Sequence, residues 1–112
     1  MSKPLNFNNI KKRYLTVTLA DEKQTTLFIG LPTKALLTEI MNINTDISVE
    51  GGESDFEAFD ELYEICTKIM SRNKGGVKIT KEFLEGVLDF EDILVFLKEY
   101  MTFVGEIASQ KN

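Results

Sequence analysis

Two short runs near the start of the chain alternate between apolar and polar residues. In YLTVTLA (14–20), Leu15, Val17 and Leu19 fall on one side, and Tyr14, Thr16 and Thr18 on the other. In TTLFIGL (25–31), Leu27, Ile29 and Leu31 repeat the pattern. A period of two is the mark of a half-buried strand. The polar DEKQ (21–24) between the runs makes the pair a β-hairpin. Gly30 predicts a bulge or a close approach near the end of the second strand. A lone hairpin is marginal in water, so this one has to pack on the helices after it.

The period then changes. Pro32 ends the second strand and suits the first turn of a helix. In PTKALLTEIMNI (32–43), Leu36, Leu37, Ile40 and Met41 gather on one side at helical spacing. NTDISVEGGE (44–53) carries two adjacent glycines and no period, and reads as a mobile loop. S-D-F-E (54–57) has the form of a capping box, with Ser54 accepting an orphan N–H and Glu57 reaching back. From Phe56 to Met70 the apolar residues occupy one half of the helix circumference. Glu57, Asp60, Glu61, Glu64 and Lys68 lie in the other half. Charge along this helix runs from acidic to basic, as the helix dipole favours.

NKGGVKI (73–79) supplies the stop, because Asn73 and the two glycines can adopt the left-handed conformation that ends a helix. Thr80 caps KEFLEGVL (81–88), and Asp89 opens the last helix with Asp92 three residues on. The apolar face of that helix runs from Phe90 to Ala108, with Val95 alone on the polar side. The pattern predicts an α+β fold: an N-terminal β-hairpin followed by a small, mainly α-helical bundle of about four helices. The whole of 1–112 reads as a single domain. Its hairpin and short helix span 10–43, the loop 44–53 and the helical part 54–108.

Composition narrows the function. A chain of 112 residues, 43% hydrophobic and 28% charged, matches one ordinary globular domain. With 18 acidic and 13 basic residues the net charge is -5, which argues against free nucleic acid and against an anionic membrane surface as partners. Cys66 is the single cysteine, so no internal disulfide forms, which fits a reducing cytoplasm. MSKPLNFNNIKKRY has no apolar run of the kind a signal peptide needs, and no stretch approaches the length of a membrane span. Histidine is absent, which removes the commonest general base and the commonest metal ligand.

Other candidates for chemistry have plainer readings. Cys66 sits mid-helix among apolar neighbours and reads as a small buried hydrophobe. The acids at Asp55, Glu57, Asp60, Glu61 and Glu64 follow one outward helix face and read as a solvated surface. Gly51-Gly52 and Gly75-Gly76 lack the strand, helix and Lys-Ser/Thr context of a phosphate loop. The KKR run at 11–13 reads as a solubilising edge before the first strand. The expectation is a protein that is not an enzyme, with no catalytic residue, no metal and no cofactor.

The last helix raises a different expectation. It is rich in aromatics and is followed only by ASQKN. Large aromatic and Met side chains are enriched at the cores of interfaces. Phe96, Tyr100, Met101, Phe103, Val104 and Ile107 are therefore the candidate partner-binding residues, against the alternative that the helices simply cover one another.

Two stretches resemble a known family. YLTVTLADEKQTTLFIGLPTKALL is similar to the N-terminal part of tail assembly chaperones from long-tailed, siphovirus-type phages and prophages of Gram-positive bacteria. RNKGGVKITKEFLEGVLDFEDILVFLKEYMTFVGEI, with its Asn-Lys turn, Ile-Thr cap, Leu-Asp step and closing Tyr-x-x-Phe helix, is similar to the family's C-terminal half. The resemblance covers roughly 10–107 and consists of packing patterns. It implies a small, acidic protein of the bacterial host cytoplasm that is absent from the mature virion. It implies binding to the tape measure protein, recruitment of tail tube subunits, and self-association. It also implies a longer product made by ribosomal slippage, and Gln110-Lys111-Asn112 is what the slippery CAA-AAA-AAC would encode. The competing reading is an acidic regulatory adaptor, antitoxin-like, whose Glu57, Asp60, Glu61 and Glu64 face meets one basic protein.

Overall fold

The computed structural model describes residues 5–7, 11–43 and 53–109. A two-stranded antiparallel hairpin is followed by four helices, the α+β arrangement that the hydrophobic pattern predicts. Strand β1 (Leu15–Thr18) pairs with β2 (Thr26–Ile29) in the register Leu15 to Ile29, Thr16 to Phe28, Val17 to Leu27 and Thr18 to Thr26. That register puts Leu15, Val17, Leu27 and Ile29 on one face, with Leu27 and Ile29 fully buried. The threonines and Phe28 face out.

Both strands are shorter than the alternating runs. The Asp21 carboxylate accepts from the Thr25 N–H at 2.8 Å and from the Thr25 hydroxyl, which bends the chain into the turn. Gln24 completes the turn at a φ of 50°. At the other end Gly30 leaves the ladder, its N–H donating to the Arg72 carbonyl at 3.0 Å. Lys74 N–H donates to the Phe28 carbonyl at 2.9 Å, and Ile29 bridges to Asn73. The free edge of β2 is thus covered by the segment after the second helix, which the sequence reading takes only as a helix stop. A β-carbon at Gly30 would meet the Tyr14 ring at 3.7 Å and the Arg72 carbonyl at 3.8 Å, ordinary contact distances, so the close approach expected of this glycine is not found.

Helix α1 (Lys34–Met41) is capped by Thr33, whose hydroxyl accepts from Leu36 N–H at 3.2 Å. Pro32 therefore lies before the cap and not in the first turn. Helix α2 (Glu53–Met70) begins one residue ahead of Ser54, so Glu53 is helical and not loop. Ser54 is thus inside the helix and not its N-cap, against the predicted capping box, and residues 44–52, most of the predicted loop, lie outside the described residues.

α2 is the centre of the fold and touches β2, α1, α3 and α4. Leu62, Cys66, Ile69 and Met70 are completely enclosed, while Glu57, Glu61, Glu64 and Lys68 are exposed. Each fully buried aliphatic side chain contributes roughly 1.5–3 kcal/mol relative to exposure. Asn73 ends the helix with its side-chain amide, donating to the Met70 carbonyl at 2.9 Å and the Val77 carbonyl at 2.8 Å, and accepting from Val77 N–H at 2.7 Å. Gly76, at a φ of +68°, supplies the left-handed residue of this turn.

Helix α3 (Lys81–Val87) starts from Thr80, which accepts from Phe83 N–H at 3.1 Å. Leu88 is extended and ends it. Helix α4 (Phe90–Ser109) opens on a reciprocal cap: Asp92 N–H donates to Asp89 at 2.8 Å, and Asp89 N–H donates to Asp92 at 3.0 Å. Two tyrosines tie the layers together through their polar ends. Tyr100 of α4 donates to the Gly30 carbonyl at 2.8 Å, and Tyr63 of α2 donates to the Leu88 carbonyl. No polar or charged side chain is buried among the described residues.

Candidate functional site

α4 is a helix of 20 residues, and its neighbours cover it unevenly. Ile93 and Tyr100 are completely enclosed, and Phe96 and Leu97 are 7% exposed. Two of the six residues that the sequence places on a partner-binding face, Phe96 and Tyr100, are therefore used inside the chain's own core. Their aromatic rings stack on each other at 5.9 Å between centroids. Burial pushes the Tyr100 hydroxyl up to about 12, so it stays protonated and holds Gly30 across the neutral range.

The other four, Met101, Phe103, Val104 and Ile107, are half-buried. Met101, Phe103 and Val104 rest against the core, and Ile107 lines a separate groove beside the start of β1. The six do not form one surface. Spacing along α4 sends them to different neighbours.

The residues that do converge are partly different ones. Ile40, Met41 and Ile43 from α1 and its end face Leu94, Leu97, Lys98 and Met101 of α4 across an open groove of about 400 Å³. Met41 is 70% exposed and Leu94 is 39% exposed, yet both stand on faces that are otherwise apolar. Sequence reasoning treats both as ordinary face residues of their helices. The usable signal was the spacing of Leu94, Leu97 and Met101, which keeps one stripe of α4 over two turns. Nothing local to α1 says that this stripe would be its neighbour.

A second groove of about 400 Å³ lies between β1 and the first half of α4. There Val95, 55% exposed as its place on the polar side predicts, shares the rim with Glu91, Asp92 and Glu99. Farther along, Phe59 and Phe90 stack at 3.9 Å at the α2–α4 boundary.

The remaining candidates for chemistry sit in ordinary surroundings. The Cys66 thiol is fully enclosed, and desolvation pushes its pKa up to about 12, so the nucleophilic thiolate is scarce at neutral pH. Among the acids of α2, Asp60 pairs with Lys81 at 2.6 Å, and that hydrogen bond raises the lysine's pKa. Glu57, Glu61 and Glu64 are exposed. Lys68 reaches Glu39 of α1 at 2.9 Å, and this pairing likewise raises the lysine. No group of three or more His, Cys, Asp or Glu converges as a metal site among the described residues. No described helix is long and apolar enough to cross a membrane. No known family model, curated protein or solved structure matches the chain.

Proposed function

We propose that this chain is a phage tail assembly chaperone without enzymatic activity. It binds apolar, helix-forming lengths of the tape measure protein and keeps them soluble until tail tube subunits assemble around them. The observation that carries this reading is the open α1–α4 groove with Met41 and Leu94 at its surface. An amphipathic helix binds by placing apolar side chains, spaced three and four residues apart, into such a groove. Methionine suits the task because its flexible thioether adapts to partners of varied shape. Met41 and Met101 both line this groove. The resemblance over 10–107 supplies the identity of the partner, and self-association through the same face competes with it.

Co-expression with an apolar helical fragment of the tape measure protein tests the reading. The chain is expected to hold the fragment in the soluble fraction. The double variant Met41→Glu, Leu94→Glu changes two exposed positions, so it is expected to fold and to lose the fragment. A chain that never retains the fragment, or a double variant that retains it fully, contradicts the reading. Charge reversal at Glu61 and Glu64 separates it from an acidic adaptor, whose binding that change abolishes and whose apolar groove it leaves alone.

A further inference from the structure

The first twenty residues carry four cations and no carboxylate. The fold sets three of these cations beside two more from the segment that follows α2. Lys11, Lys12 and Arg13 join Arg72 and Lys74 along a groove of about 570 Å³. Tyr14, Leu31 and Ile107 give it apolar surface, and no described carboxylate lines it. In a chain of net charge -5, five basic residues on one groove make a local field opposite in sign to the whole.

This groove is built by the backbone. The hydrogen bonds from Gly30 N–H to the Arg72 carbonyl at 3.0 Å and from Lys74 N–H to the Phe28 carbonyl at 2.9 Å fix the 72–74 segment against β2. Arg72 Nε donates to the Leu31 carbonyl at 3.1 Å, which holds the guanidinium at the groove. Lys74 Nζ lies 5.6 Å from the centre of the Tyr14 ring, a cation–π contact that orients it.

We propose that this groove binds a short acidic segment of a partner protein. Carboxylates of that segment meet Lys11, Lys12 and Lys74, and an apolar side chain lies against Leu31 and Ile107. A peptide fits better than a nucleic acid on two grounds. The groove mixes apolar with basic lining, and beyond it a polyanion would meet the acidic remainder of the chain. The site is separate from the α1–α4 groove and stands whether or not the chaperone reading does.

The test uses the full chain and a fluorescein-labelled peptide of alternating glutamate and leucine, followed by anisotropy at low and at physiological salt. The same peptide with glutamine for glutamate and a single-stranded oligonucleotide of equal charge are the comparison probes. The glutamate peptide is expected to bind, and to bind more weakly as salt rises. Lys11→Glu with Lys12→Glu, both exposed, is expected to weaken it by about tenfold or more. Lys74→Gln is expected to weaken it less, and Lys78→Glu, outside the groove, to leave it unchanged. Circular dichroism melts show that each variant folds. Equal binding of the glutamine peptide, tighter binding of the oligonucleotide, an unaffected Lys11/Lys12 variant, or no binding at all overturns the proposal.

Discussion

Helices α2 and α4 look alike as sequences. Each has an apolar face about half a circumference wide. The fold uses the two faces differently. α2 lies in the middle, touching β2 and the other three helices, and Leu62, Cys66, Ile69 and Met70 have no contact with solvent. α4 lies at the side. It gives Ile93, Phe96, Leu97 and Tyr100 to the core but leaves Phe90 and Leu94 of its apolar face exposed. The width of an apolar stripe therefore says how much surface a helix offers, and its place in the fold decides how much of that is left over for a partner.

That contrast is broken most sharply by truncating one residue from each helix. Ile69→Ala in α2 leaves a cavity in an enclosed site and is expected to cost about 2–5 kcal/mol. Leu94→Ala in α4 removes a side chain that is 39% exposed and is expected to cost under about 1 kcal/mol. Urea unfolding of the two variants gives both values, and equal losses would show that α4 is as fully used by the core as α2.

Alkaline pH probes the buried groups of both helices. Cys66 in α2 moves from an ordinary value of 9.0 to about 12, and Tyr100 in α4 from 10.0 to about 12, both by desolvation. Each folded pKa is raised, so the unfolded chain releases its proton first. The stability these groups contribute is fully present below about pH 9 and is lost as pH rises toward about 12. Circular dichroism at fixed urea is expected to show unfolding over this range. Cys66→Ala with Tyr100→Phe is expected to flatten the dependence.

A smaller effect tests how α4 is started. Asp89→Ala removes the oxygen that accepts Asp92 N–H at 2.8 Å, and the loss of a cap costs about 1 kcal/mol. Thermal melts check this, and an unchanged midpoint would mean that packing alone fixes the start of α4. The smallest effect belongs to the α1–α2 ion pair. Lys68 and Glu39 are each about half exposed, so Lys68→Met is expected to leave the urea midpoint unchanged within scatter.

Much of the fold was legible because its causes are local. Alternation marks both strands, and Thr80 and Asp89 cap helices through bonds to residues three positions on. The errors are also local in kind. Pro32 suits a first helical turn, but Thr33 has the hydroxyl that can accept an orphan N–H, so the cap falls there. What could not be read depends on residues far apart in the chain. The 72–74 segment pairs with β2 because Asn73 turns the chain back after α2, and a stop signal does not say what the chain then meets. The KKR run alone looks like a solubilising edge, and only Arg72 and Lys74 turn it into a groove. Periodicity put Phe96 and Tyr100 on the apolar face of α4 correctly. It could not say that Gly30, just past the end of β2, would take the Tyr100 hydroxyl while Leu94 stays open.

Helix binding in the α1–α4 groove is best tested by mapping where an amphipathic helix touches the chain. Backbone amide resonances of the labelled protein would be followed by NMR while an apolar helical peptide from the tape measure protein is added. Shifts are expected to concentrate at Met41, Ile43, Leu94, Lys98 and Met101, with Glu57, Glu61 and Glu64 unmoved. Shifts centred on the acidic face of α2, or none at saturating peptide, would mean that the groove is not the binding surface.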